Sequence, residues 1–236
     1  MIRYKSYTLP LVSLLLTAGL LGGCNDDDSS DNNMRSYEIK LVNLTANQPL
    51  SPPAIIVHGA DYRAFSDGEP ASAGLEILAE GGDNSSLLSE AQAASSYINS
   101  LAASQAIGPG GMETYQLTVE NGSHVHLSLL SMLVNTNDGF TAVNGLNIAG
   151  LETQQTQTVN LPVWDAGTEA DTEAAGTIPG PADGGEGFNA NRDDNVDFVS
   201  FHPGVISADD GLNGSVLNES HRFDNPAARI SITRTH

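Results

Sequence analysis

Alternation of apolar and polar side chains with a period of two limits the fold of this chain more than any other feature. In Ser36 to Thr45 (SYEIKLVNLT), Tyr37, Ile39 and Leu41 alternate with Glu38, Lys40 and Val42, the pattern of a half-buried strand. Glu113 to Glu120 repeats it around Tyr115, Leu117 and Val119, and Arg229 to Thr233 turns Ile230 and Ile232 to one side. Thr156 to Trp164 places Val159, Leu161 and Val163 on one face. Ala54 to His58 (AIIVH), set between Pro53 and Gly59, and His124 to Val134 are apolar enough to be central strands covered on both faces. Asp197 to Ile206 is expected to add a further strand. Helical spacing occurs twice. A short helix follows Ser72, with Leu75, Leu78 and Ala79 on one face and Gly81-Gly82 as its stop. The longest helical candidate is Ser86 to Ser104, where Leu87, Leu88, Ala91, Ala94, Ser95, Ile98 and Leu101 recur at steps of three and four. Short strands, polar glycine-rich connections and one or two inserted helices predict an all-β, antiparallel β-sandwich. About 200 residues suit one such domain, spanning 36–236. Within it, 166–194 is rich in Gly, Asp, Glu, Ala and Pro and is expected to be a long acidic surface loop.

The domain is preceded by an export signal. Arg3 and Lys5 stand before the apolar run Leu9 to Leu21, and Leu21-Gly22-Gly23-Cys24 reads as a lipobox. The apolar run is too short for a comfortable membrane span, which needs about 20 residues. Residues 1–23 are therefore expected to be removed and Cys24 acylated, with several acyl chains holding the protein at a membrane of the cell envelope. The outer membrane is the expected destination, and Asn25 followed by Asp26 is the feature that points toward inner-membrane retention. Residues 24–35, including NDDDSSDNN, are expected to form an acidic flexible tether. Cys24 is the only cysteine, so with its thiol acylated the rest of the chain has none for a disulfide, a cluster or a nucleophile.

The formal charge is −20, and loss of Arg3 and Lys5 with the leader makes it more negative still. Such a surface repels phosphate backbones, which excludes nucleic acid as a partner, and attracts divalent cations. Two polar loops carry the candidate oxygen ligands: Asn135-Thr136-Asn137-Asp138-Gly139 after one strong strand, and Trp164-Asp165-Ala166-Gly167-Thr168-Glu169 after another. If those strands are antiparallel neighbours, both loops return to one end of the sheet and present the carboxylates that calcium prefers. On spacing alone the same acids also read as solvated turn residues.

The residues around these loops resemble the spondin domain at the N-terminus of F-spondin and mindin. Ser51-Pro52, His58, Asp61-Tyr62, Gly68, Ala71-Ser72, Gly74 and Ala79-Glu80-Gly81 are similar to that family's opening. Leu127 to Met132 with Asp138 after it resembles its central strand and acidic loop, and the most specific likeness is Pro162-Val163-Trp164-Asp165-Ala166-Gly167-Thr168-Glu169. The resemblance implies a sandwich akin to C2-type calcium- and phospholipid-binding domains, with Ca2+ held by Asp138, Asp165 and Glu169. The family has aspartate at the last position, and Asp171 lies near enough to substitute. It also implies a binding or adhesion module without catalysis, whose partner is a glycan, a phospholipid or a protein.

Other chemistry is weighed against these readings. His124 and His126 share a strand face and form either a zinc or copper pair or two ordinary sheet histidines. His58 reads as a hydrogen-bonded structural residue, and Trp164 as a packing residue or a sugar-stacking platform. The acids Asp193, Asp194, Asp197, Asp209 and Asp210 near His202 form either a second cation site or a plain acidic loop. No GxSxG, HExxH or GxxxxGK occurs. The rival function is an envelope hydrolase acting on glycans or lipids through paired carboxylates.

Overall fold

The computed structural model describes residues 33–122, 124–192 and 196–236. The leader, Cys24 and all but the last three residues of the tether lie outside them, as do Asp193 and Asp194. Among the described residues ten strands form two antiparallel sheets. The first holds β1 (Met34–Asn43), β4 (Met112–Glu120), β7 (Thr156–Leu161) and β10 (Ala228–Arg234), in the order β4-β1-β10-β7. The second holds β2 (Ala54–His58), β3 (Tyr97–Ala102), β5 (His126–Met132), β6 (Gly139–Asn147), β8 (Val163–Asp165) and β9 (Ser200–Phe201), in the order β3-β2-β5-β6-β8-β9. The expected antiparallel β-sandwich is the observed fold.

Period-two alternation builds the space between the sheets. Tyr37, Ile39 and Leu41 of β1, Leu117 and Val119 of β4, and Ile230 and Ile232 of β10 face Ile55, Val57, Leu127, Leu129 and Val163 across one core. The six-stranded sheet has a second apolar face, because Ala54, Ile56, Leu130, Phe140 and Ala142 point away from the sandwich. Two helices cover that face, α1 (Ala73–Gly81) and α2 (Ser85–Ala93), through Leu75, Leu78, Ala79, Leu87, Leu88 and Ala91. All residues of β2 and β5 are consequently buried, which explains their unbroken apolar runs. Ser72 caps α1 by accepting from Leu75 N–H at 3.2 Å, and Gly82 ends it with φ 70°.

Four expectations about elements are corrected. The long helix over Ser86 to Ser104 stops at Ala93, and the chain returns as β3 alongside β2. Tyr97, Asn99 and Leu101 also carry a period of two, and hydrogen bonding to the open edge of β2 wins over the weak helical pattern. Gly139 to Asn147 is a strand, so β5 and the strand ending at Val163 are not neighbours: β6 lies between them. Thr156 to Trp164 is broken at Pro162, whose nitrogen has no hydrogen to donate, and the chain passes there from the four-stranded sheet to the six-stranded one. Asp197 to Ile206 yields only the two residues of β9.

The segment 166–194 has no strand or helix among its described residues, yet it is not all surface. Ala166, Thr168 and Ile178 are fully buried and Glu173 nearly so. Ile178 packs with Val205 and Leu217 in a small core of its own. Gly180 lies so close to the preceding acidic loop that a Cβ on it would come within 2.2 Å of Val134 O.

Candidate metal centre

Strand pairing fixes where the two acidic loops meet. Gly139 opens β6 and pairs with Asp165, which closes β8, so Asp138 and Asp165 stand at the same end of the six-stranded sheet. Ala166 N–H donates to Asp138 O at 3.3 Å and continues the ladder one step into the loop.

The first loop is folded by its own side chains. Thr136 Oγ1 donates to Leu133 O at 2.7 Å and accepts from Gly139 N–H at 2.9 Å, closing a tight turn. Asn135 Nδ2 donates to Asn47 O, its Oδ1 accepts from Ala182 N–H, and its backbone is clamped at both ends by the Gln48 amide. Asn135, Thr136, Asn137 and Asp138 are all at most 2% exposed. A polar stretch of that composition is buried because each amide has a partner.

The second loop wraps the carboxylate of the first. Asp138 Oδ2 accepts from Thr168 N–H at 2.7 Å, Thr168 Oγ1–H at 3.2 Å and Glu169 N–H at 3.1 Å. Asp165 Oδ1 accepts from Gly167 N–H at 2.7 Å, an aspartate turn that demands the left-handed backbone of Gly167, φ +69°. A Cβ there would stand 2.4 Å from Phe198 O and 2.6 Å from Val196 O.

These turns converge three carboxylates. One oxygen each from Asp138, Asp165 and Asp171 lies within 4.8 Å of the other two. Asp138 is fully buried, Asp165 is 8% exposed, and the Asp171 side chain, at 28%, is the most open. Asp138 and Asp165 are thus withdrawn from solvent, whereas Asp171 keeps contact with it. Glu169, expected as a ligand from the resemblance, has its backbone N–H on Asp138, and the grouped carboxylate in its neighbourhood is that of Asp171.

The surrounding groups have chemistry that sequence spacing did not single out. His202 Nδ1 accepts from Gly204 N–H at 3.0 Å, which places the imidazole proton on Nε2, 3.6 Å from Asp171 Oδ1. Burial pushes the His202 pKa down to about 4, so the ring is neutral at neutral pH. Glu80, from the last turn of α1, is fully buried; Asn189 N–H donates to its Oε2 at 2.8 Å. Its pKa is raised by burial first and by the charges of Glu76 and Asp138 in addition. Glu173 accepts from Ile206 N–H at 3.0 Å, and burial raises its pKa too. Its own N–H donates to Asn137 Oδ1 at 3.4 Å, tying the two acidic loops together. The only sequence sign of Glu80 was its place in the Ala79-Glu80-Gly81 likeness, and His202 stood out only as part of a segment without a clear counterpart.

The remaining candidates are dispersed. Of the pair His124 and His126, only His126 lies in β5 while His124 precedes it and is exposed, and the His126 ring stacks 6.0 Å from His58, whose two nitrogens are taken by Gly59 O and Ser128 Oγ. Trp164 packs edge-on to Phe65 and stacks on Phe201 with centroids 4.1 Å apart, a packing role. Asp197 pairs with Arg192, Asp210 with Arg222, and Asp209 accepts from Glu219 N–H.

The spondin N-terminal family model, Spondin_N, matches residues 48–177, which contain both acidic loops and all three aspartates. The chain belongs to the spondin N-terminal domain family. At this coarse level the family match supports a non-catalytic binding module. The match starts before β2 and ends just beyond Glu173, so β1, β10 and the segment after 177 complete the spondin sandwich from outside the matched region. Among curated proteins none matches the chain.

Proposed function

We propose that this spondin domain is a calcium-binding module, anchored through acylated Cys24 at the cell envelope, that binds or adheres to an extracytoplasmic partner. The observation that carries the calcium reading is the convergence of Asp138, Asp165 and Asp171 oxygens within 4.8 Å, two of the three residues being nearly excluded from water. Calcium takes oxygen ligands at about 2.3–2.6 Å, so ligand oxygens facing each other across the ion stand about 5 Å apart or less, and the triad fits. Burying carboxylates side by side is costly unless a cation offsets their repulsion. Backbone carbonyls and water would complete the usual six to eight ligands.

The lipid anchor rests on the lipobox at Leu21 to Cys24 and the polar tether behind it. No helix among the described residues is long and apolar enough to cross a membrane. The outer membrane is the proposed location, and a glycan, a phospholipid or a protein the proposed partner class. A hydrolase would have to present the same carboxylates to substrate, and the burial of Asp138 and Asp165 opposes that.

Calorimetric titration of the full chain in mild detergent with calcium tests the metal. The expected result is saturable heat and a raised melting temperature for the native protein, with both lost in Asp165→Ala. Absence of heat and of a thermal shift at millimolar calcium in the native protein would remove the assignment. Metabolic labelling with a radioactive fatty acid tests the anchor: the native chain should take up the label and Cys24→Ser should not, and blocking removal of residues 1–23 should leave a larger precursor in the membrane fraction.

A further inference from the structure

The sandwich has a second chemically distinctive end. β6 runs from Gly139, beside the aspartates, to Asn147, and β1 runs from Met34 to Asn43, whose end adjoins the Gln48–Asn135 clamp. The start of β1 and the end of β6 therefore lie at the pole opposite the acidic cluster. Arg35 and Arg234 meet the same loop there. Arg35 Nη1 donates to Ala149 O at 2.5 Å and Arg234 Nη1 to Leu151 O at 3.2 Å. The described residues contain only seven Lys and Arg, so two guanidinium groups on one three-residue stretch of loop are a local reversal of a strongly negative molecule.

Beside Arg35 is an open surface depression of about 890 Å³, within the size range of small-molecule sites. Its walls carry the amides of Asn121, Asn147, Gln155 and Gln157, and Leu151 supplies an apolar patch. The protein uses little of this hydrogen-bonding capacity. Asn147 Oδ1 accepts from Ala149 N–H and Gln155 Oε1 from Glu152 N–H, which leaves both amide NH2 groups without a protein partner among the described residues. Asn121 and Gln157 have no side-chain hydrogen bond among the described residues. One planar cation, a set of idle amide donors and acceptors, and an apolar patch match a single carboxylate on a hydroxyl-rich ring with one C–H face.

We propose that this pole is a binding site for an acidic sugar, a uronic acid residue of a glycan, with Arg35 facing the carboxylate and the four amides the hydroxyls. The site is separate from the calcium centre and does not depend on it. One guanidinium in the depression suits a monoanion better than a phosphate dianion, and the acidic remainder of the surface disfavours extended polyanions.

The test is titration of the full chain in detergent with D-glucuronate, D-glucose and inorganic phosphate, followed by ligand-observed NMR and calorimetry in the presence of EDTA. D-glucuronate should bind saturably, D-glucose at least about tenfold more weakly, and Arg35→Gln should weaken glucuronate by at least about tenfold. Gln157→Ala, on a strand end that tolerates truncation, should weaken it several-fold, which keeps the test decisive if Arg35→Gln folds poorly. Glucuronate binding should be the same in saturating calcium as in EDTA, so that loss of the calcium reading, seen as absent calcium heat, and loss of this one are told apart. No saturable glucuronate binding, equal affinity in Gln157→Ala and native protein, or phosphate binding tighter than glucuronate would overturn the proposal.

Discussion

Gly167→Ala is the most informative single change at the aspartate loops, because its cost divides into parts that another glycine isolates. Gly167 and Gly110 share a φ of +69°, but Gly110 has nothing within 4 Å of a built Cβ, whereas Gly167 faces two backbone carbonyls at 2.4 and 2.6 Å. Gly110→Ala therefore carries only the left-handed penalty, about 1–2 kcal/mol. Gly167→Ala carries the same penalty and must also push the loop off Phe198 and Val196, breaking the 2.7 Å bond from Gly167 N–H to Asp165. A hydrogen bond to a charged group is worth about 1.5–3 kcal/mol, so the total is about 3–5 kcal/mol. For a domain of this size that is a fall in melting temperature of roughly 10 °C, against about 4 °C for Gly110→Ala. Gly150→Ala, in open space and without a positive φ, should be nearly neutral. Urea and thermal unfolding of the three variants, each with and without calcium, measure all the terms. Gly167→Ala should also lose the calcium-dependent shift that Gly110→Ala keeps. If the two destabilise equally and both retain the shift, the loop is not held by Asp165 in the way described.

Three further outcomes follow from the same geometry. Asp171→Asn should abolish the calcium-dependent thermal shift and Glu169→Gln should largely retain it; the reverse order would return the third ligand to Glu169. Arg192→Ala removes the partner 2.6 Å from Glu76, a residue only 6% exposed, and should cost about 1–3 kcal/mol by urea unfolding, recovered in part by Glu76→Gln in the same chain. Burial lowers the His58 pKa, the bond to Gly59 O opposes it in part, and His126 and Arg63 add repulsion, so the folded state binds the proton less readily than the unfolded chain, which takes it up near 6.5. Stability is then fully present above that value and is lost as pH falls below it. His58→Gln should flatten the slope of stability just below pH 6.5 by up to about 1.4 kcal/mol per pH unit, and an unchanged slope would show that folding does not lower the His58 pKa.

The strands that alternate were legible because one side of each faces the single inter-sheet core: Tyr37, Ile39 and Leu41, or Ile230 and Ile232, have no other place to go. The continuous runs of β2 and β5 were legible as buried, though not what buries them, since the helices covering Ile56 and Leu130 are distant in sequence. Gly139 to Asn147 escaped notice because its partner β8 has three residues and its outer half is only partly buried, so no clean pattern forms. At the candidate site, Asp138 and Asp165 were legible as acids at strand ends. Their burial was not, because it depends on Ala182, Thr168 and Glu173 folding back over Asn135 to Asp138 from a stretch whose composition suggests solvent. His202 and Glu80 arrive from elements far apart in the chain, and only tertiary packing brings them beside the aspartates.

The ten residues of β1 give the molecule a fixed length. At about 3.4 Å per residue they separate the Arg35 pole from the aspartate pole by roughly 30 Å, several screening lengths at physiological ionic strength. Charge added or removed at one pole is therefore electrostatically silent at the other, and substitutions at the two should combine additively. With the sheet as a stiff rod between them, the poles stand at a constant spacing, so occupants of the proposed calcium and acidic-sugar sites would bind at once without either sensing the other.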